Sequence, residues 1–239
     1  MKEQIRQLCF PDRCPGCDRV LPDGFDDTGF CAECKKHITV ISEHFCLKCG
    51  KLLENDSQEY CSDCRQRKHI FKEGRAVFLY RDEMKGTMYR FKYANRRCYA
   101  RIFAKQAQKR WGGWVADCAP DSIVPVPLYR KKQRRRGYNQ AMVWARELEK
   151  CWKLPVDGTV LTRIRDTRPQ KTLGPEERRQ NLRQAFRAKK ELAAGRKILL
   201  VDDIYTTGST VDEAAAALMR AGCGEVYCLC ICTGRENDF

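Results

Sequence analysis

The densest chemistry in the chain lies near its carboxyl end, in Val201-Asp-Asp-Ile-Tyr-Thr-Thr-Gly-Ser-Thr210. An apolar run, Lys197-Ile-Leu-Leu-Val201, empties into two adjacent carboxylates and then into a hydroxyl-rich stretch with one glycine. Where such a stretch opens a helix, free backbone N–H groups and the positive helix end favour a bound phosphate. Gly208 lets the backbone turn closely, and Thr206, Thr207, Ser209 and Thr210 offer hydroxyl donors. Asp202 and Asp203 would repel a phosphate unless they hold sugar hydroxyls or a cation. The combination predicts a site for a phosphorylated ribose.

A second reactive set lies at the other end. Of sixteen cysteines, eight form C-x-x-C pairs within the first 64 residues: Cys14/Cys17, Cys31/Cys34, Cys46/Cys49 and Cys61/Cys64. A secreted disulfide scaffold fits poorly, because no apolar stretch at the N-terminus is long enough for a signal-peptide core. In a reducing compartment, pairs of this kind bind metal, and eight thiolates make two closed structural Cys₄ zinc sites. The spacing suits a ribbon, whether the pairs combine sequentially or interleave 14/17 with 46/49. His37, His44 and His69 lie nearby, but four thiolates per metal leave no need of them, and Cys9 stands outside the pairs.

These residues need elements to hold them. Residues 1–68 are short segments punctuated by Pro, Gly, Asp and Cys, too poor in apolar periodicity to form a core without metal. Chelation is therefore expected to unfold this module and leave the remainder largely intact. From Lys72 onward strands and helices alternate. Phe78-Leu79-Tyr80 reads as a strand, and residues 88–111 as a helix or a helix pair broken at Asn95. Ser122–Pro127 reads as a strand, followed by a basic loop, RKKQRRRGYNQ, and a helix from Gln140 to Lys150. Residues 163–190 read as a mobile loop with a short helix near Glu176–Asn181. A buried strand at Lys197–Val201, a helix at Val211–Ala221 and a strand at Glu225–Cys232 complete the pattern. Apolar runs without alternation are those of parallel strands covered on both faces, so the class is α/β with a mostly parallel sheet flanked by helices. Cys228, Cys230 and Cys232 share one face of the last strand and are expected to be packing residues.

The formal charge is +15, unevenly spread. Residues 1–70 carry 11 Lys/Arg and 12 Asp/Glu, leaving 35 basic against 19 acidic groups in residues 71–239. Attraction to nucleic acid or phosphate therefore belongs mainly to the second domain rather than to the cysteine module. Within it, residues 85–110 hold nine basic groups and no acid, interleaved with Tyr89, Phe91, Tyr93, Tyr99 and Phe103. This is either a track for single-stranded nucleic acid or an amphipathic helix pair with buried rings. No apolar run approaches a membrane span, and a cytoplasmic location is expected.

The segment VDDIYTTGST resembles the phosphoribosyl pyrophosphate signature of type I phosphoribosyltransferases. The resemblance implies that Asp202 and Asp203 contact the ribose hydroxyls, that residues 206–210 cradle the 5′-phosphate, and that Mg²⁺ accompanies the pyrophosphate. IVPVPLYRKKQRRRGYNQA, RIRDTRPQKTLGPEERRQNLRQAF and the four C-x-x-C pairs together resemble the ComF family, which joins a double zinc ribbon (here residues 1–68) to a phosphoribosyltransferase-like domain (69–239). The family includes late competence proteins linked to uptake of single-stranded DNA. In that frame Arg130, Arg134, Arg135 and Arg136 lie near the pyrophosphate, and residues 163–186 close over the substrate. The resemblance implies a protein that binds phosphoribosyl pyrophosphate and assists DNA handling, with a DNA-uptake helicase or channel as partner. Transfer of phosphoribose to an unidentified acceptor is an alternative, and a non-catalytic sensor of the donor is another.

Overall fold

The computed structural model describes residues 11–21, 28–55, 57–166 and 184–236. Among the described residues of the N-terminal portion, two single-turn helices, α1 (Ala32–Lys35) and α2 (Ser62–Gln66), each open directly after the first cysteine of a pair. The α/β portion runs β1 (Gly74–Leu79), α3 (Glu83–Tyr93), α4 (Tyr99–Cys118), β2 (Ser122–Pro125), α5 (Arg130–Arg136), α6 (Gln140–Trp152), β3 (Leu161–Arg163), β4 (Phe186–Ala188), α7 (Lys190–Ala193), β5 (Lys197–Tyr205), α8 (Ser209–Arg220) and β6 (Glu225–Thr233). The short helix expected near Glu176–Asn181 lies outside the described residues.

Four strands form one parallel sheet in the order β1-β6-β5-β2. Every residue of β1 is buried, as is all of β6 after Glu225, so both faces of the sheet are covered. Cys228, Cys230 and Cys232 lie within β6 at 1% exposure or less, as packing residues. Helices α4 and α6 pack on each other and on the sheet, and α8 packs on β4, β5 and β6. Strands β3 and β4 form a separate antiparallel hairpin.

The sequence readings differ from the structure in one place that matters for the site. Asn95 does break the first helical stretch, with φ of 55°, but the basic segment after Pro127 is helix α5 and not a loop. Lys, Arg and Gln are good helix formers, and Gly137, left-handed at φ 83°, ends the helix.

The cysteine-rich portion is not an appendage. Thr39 and Ile41 hydrogen-bond along β1, through Ile41 N to Val77 O at 2.9 Å and Leu79 N to Thr39 O at 3.0 Å. Strand β1 is thus shielded at its outer edge, where unpaired backbone groups would invite association. Gly50, at φ 78°, lies so close to β1 that a Cβ there would come within 2.7 Å of Arg75 Cα. Phe30, Ile41, Leu53 and the buried cysteines belong to the same continuous core as the sheet. The expectation that the ribbon unfolds alone therefore conflicts with a core shared by both portions.

Candidate functional site

Strand β5 delivers Asp202 and Asp203 to the carboxyl end of the parallel sheet, where α/β proteins bind ligands. Asp202 Oδ1 accepts from Asp203 N at 2.8 Å, which turns the first carboxylate back on the chain. Asp203 Oδ2 meets Lys92 Nζ of α3 at 3.0 Å. Burial first, and then the neighbouring Asp203 charge, push the Asp202 carboxyl up to about 7, with Lys92 and Arg163 opposing. Beyond Tyr205 the chain passes through Thr206 and Thr207 to Gly208, left-handed at φ 76°, and into α8. A Cβ on Gly208 would lie 2.5 Å from the Tyr205 hydroxyl, so both conformation and space require glycine. Thr207 and Ser209 are buried and share a hydrogen bond of 2.8 Å between their hydroxyls. Thr210 is half-buried in the first turn of α8.

Helix α5 sorts its cations. Arg130, Arg134 and Arg135 are exposed, whereas Lys132 and Arg136, one helical turn apart, are half-buried. Burial pulls the Lys132 ammonium below its ordinary range, assisted by Arg136 and Arg163 and opposed by Asp203. Arg136 donates to Gln140 Oε1 at 2.6 Å and to Tyr93 Oη at 3.2 Å. Arg163, at the end of β3, feels the charge of Asp202. Two carboxylates therefore face Lys92, Lys132 and Arg163, with Arg136 close to Lys132, an arrangement able to take sugar hydroxyls and a multiply charged anion together.

Lys92, Lys132 and Arg163 escaped the sequence reading. For Lys132 a signal existed, since a helical reading of RKKQRRR puts it on one face with Arg136. For Lys92 and Arg163 none did, because their neighbours are equally basic. The segment expected to close over the substrate, 163–186, lies outside the described residues from 167 to 183.

The metal pairing is sequential. The sulfurs of Cys14, Cys17, Cys31 and Cys34 converge within 4.8 Å of one another, as do those of Cys46, Cys49, Cys61 and Cys64. Cys17–Cys31 at 3.8 Å and Cys49–Cys61 at 3.7 Å match the roughly 3.8 Å edge of a tetrahedron with ~2.3 Å zinc–sulfur bonds. Both clusters fit structural zinc, and the interleaved alternative is excluded.

The basic aromatic stretch divides between the two readings. Phe91, Tyr99 and Phe103 are core, whereas Tyr89 and Tyr93 are 62% and 52% exposed with ring centroids 5.2 Å apart. Several of the cations are occupied within the fold. Arg90 donates to Pro15 O at 2.7 Å and also to Gly16 O, and Arg96 pairs with Asp18 at 2.6 Å. Arg110 donates to Ile41 O and Ser42 O. These arginines fasten the cysteine-rich portion to α3 and α4.

Two family descriptions match the chain: a double zinc ribbon domain over residues 5–65 and a phosphoribosyl transferase domain over residues 134–238. The fold and the two four-cysteine clusters thus define a phosphoribosyltransferase-like α/β protein preceded by a double zinc ribbon. Competence protein F of Haemophilus influenzae is 39% identical over 109 residues, 45% of this chain and 48% of that one. DNA utilization protein YhgH of Escherichia coli K12 is 40% identical over 113 residues, 47% and 49% of the two chains. Competence protein ComFC of Bacillus subtilis is 30% identical over 156 residues, 64% and 60%. These relatives, together with the two domain matches, support the ComF family. The matches span about half the length of the first two relatives.

Proposed function

We propose that the chain binds phosphoribosyl pyrophosphate with Mg²⁺ at the carboxyl end of β5, and serves DNA uptake or utilization from the cytoplasmic side. The observation that carries the donor reading is the pair Asp202 and Asp203, set among Lys92, Lys132 and Arg163 and followed by the Gly208 turn into α8. In this reading the acids hold the ribose hydroxyls, residues 206–210 receive the 5′-phosphate, and Lys132 and Arg136 face the pyrophosphate. Bound Mg²⁺ would supply charge neutralisation of that group. The exposed Arg130, Arg134 and Arg135 are assigned to the outer rim. The division into residues 1–68 and 69–239 is supported by the passage from the last cysteine pair into β1. Replacing Asp202 and Asp203 together with Ala is expected to abolish Mg²⁺-dependent binding in calorimetry; binding that survives overturns the donor site.

A nucleic-acid role is favoured by a separate observation, the exposed Tyr89–Tyr93 pair beside Arg136, whose guanidinium lies 5.0 Å from the Tyr93 ring centroid. Exposed rings among cations suit stacking of bases in a single strand. The names of the relatives, competence and DNA utilization, point the same way, and a DNA-uptake helicase or channel is the partner we propose. Release of pyrophosphate with candidate acceptors would identify a transferase. A salt-sensitive shift of single-stranded DNA without such release would identify a donor-regulated binder.

A further inference from the structure

Between the last cysteine pair and β1 the chain makes a contact that neither the zinc sites nor the donor reading requires. His69 is 8% exposed, and its Nδ1 lies 2.7 Å from Asp212 Oδ2. The next residue, Ile70, donates its backbone N–H to Asp212 Oδ1 at 3.0 Å. Consecutive linker residues thus take both oxygens of one carboxylate. Asp212 lies in the first turn of α8, the helix that the Gly208 loop opens. An acid there interacts well with the helix dipole but repels any anion brought to the same end. His69 and Ile70 engage it from the linker side.

The same histidine flanks the loop itself. A Cβ built on Gly208 would meet Tyr205 Oη at 2.5 Å and His69 Cε1 at 3.0 Å, so Gly208 is held between the two side chains. Phe71, fully buried, stacks on His69 with centroids 5.0 Å apart and meets Tyr205 edge-on. The linker is anchored in turn on the second four-cysteine cluster. It leaves α2 just after Cys64, and Lys48, between Cys46 and Cys49, donates to Phe71 O at 2.6 Å and Lys72 O at 3.0 Å.

We infer that His69 is a positioning residue through which the second zinc cluster holds the phosphate loop in its binding shape. This rests on the donor reading above and adds a coupling to it. Since coupling between sites is reciprocal, metal in the second cluster strengthens donor binding, and bound donor slows metal loss.

The test uses the full zinc-loaded chain with His69→Ala, His69→Asn (which keeps a donor toward Asp212) and Asp212→Asn. Amide hydrogen exchange, without any ligand, is expected to speed up over residues 206–212 in His69→Ala while β6 stays protected as the control for folding. In His69→Ala, affinity for Mg²⁺–phosphoribosyl pyrophosphate is expected to fall about tenfold or more, as loss of a buried hydrogen bond to a charged group implies, with His69→Asn restoring most of it. Asp212→Asn, which also removes the repulsion of the phosphate, is expected to speed exchange over 206–212 with a smaller loss of affinity. Zinc release to a chelator is expected to slow when donor is added to the wild type, and not in His69→Ala. Unchanged exchange at 206–212 in His69→Ala, or donor protection of zinc that survives the substitution, overturns the latch. Failure of the wild type to bind donor overturns the donor reading alone, and the exchange measurement still decides the latch.

Discussion

Asp202 shows how much one position can carry. Its carboxyl is pushed up to about 7 by burial and by Asp203, well above the ~3.9 of an unfolded chain. The folded state thus holds a proton that the unfolded state releases, so this residue costs stability progressively as pH rises from about 4 to about 7, and fully above that. Asp202→Asn is expected to melt higher than the wild type at about pH 8, by on the order of a few kcal/mol given ~1.4 kcal/mol per pKa unit, the opposing charges of Lys92 and Arg163 being already part of that shift. The difference should fade toward pH 4; melts at both ends of that window test it, and a constant difference would show that Asp202 ionises normally. Gly208 makes a complementary case. Gly208→Ala forces a side chain into the left-handed region, costing about 1–2 kcal/mol, and drives Cβ against the Tyr205 hydroxyl. Donor affinity is expected to drop, with Tyr205→Phe in the same chain recovering part of the loss.

At the scale of elements, the proposed donor and nucleic-acid roles divide between residues of α3 and α5. In the sequence, the 85–110 stretch stands open between a nucleic-acid track and an amphipathic helix pair, and the family resemblance sets Arg134–Arg136 near the pyrophosphate. The helices redistribute these roles, because Lys92 reaches Asp203 while Arg134 and Arg135 face outward. Lys92→Ala and Arg136→Ala are expected to weaken donor binding, whereas Arg134→Ala with Arg135→Ala leaves it nearly unchanged. Calorimetry on the two sets tests the sorting, and equal losses would contradict it. Replacing Tyr89 and Tyr93 with Ala should instead lower single-stranded DNA affinity, by about 1–3 kcal/mol per stacked base, with a smaller effect on donor binding through Arg136, which donates to Tyr93 Oη. Gel titrations in which that double variant binds like the wild type would remove the platform.

Across the whole molecule, the ribbon is a structural partner of the sheet. Arg90, Arg96 and Arg110 fasten it to α3 and α4, Thr39 and Ile41 line β1, and its apolar residues join the common core. Purified protein is expected to carry about two zinc ions, one per four-thiolate cluster. Chelation is expected to lower the melting temperature of the chain as one cooperative unit, because exposing the edge of β1 removes packing from the sheet. Circular dichroism during chelation that shows the sheet melting at an unchanged temperature would mean that the ribbon is independent after all.

The amino-acid order alone determined the class of both portions. Local patterns sufficed, since C-x-x-C spacing reports four-thiolate clusters and an apolar run ending in DDIYTTGST reports a strand, a carboxylate pair and a glycine turn into a helix. The helix break at Asn95 and the packing role of Cys228, Cys230 and Cys232 were legible for the same reason. What tertiary structure decided were contacts between residues distant in sequence. Which cysteine pairs share a metal, that Lys92 rather than Arg135 faces the acids, and that His69 clasps Asp212 across 143 residues all depend on how elements pack. Nothing in local composition distinguishes one lysine of a basic stretch from the next. Only the fold, by burying some of these charges beside carboxylates and leaving others in water, gives them different work.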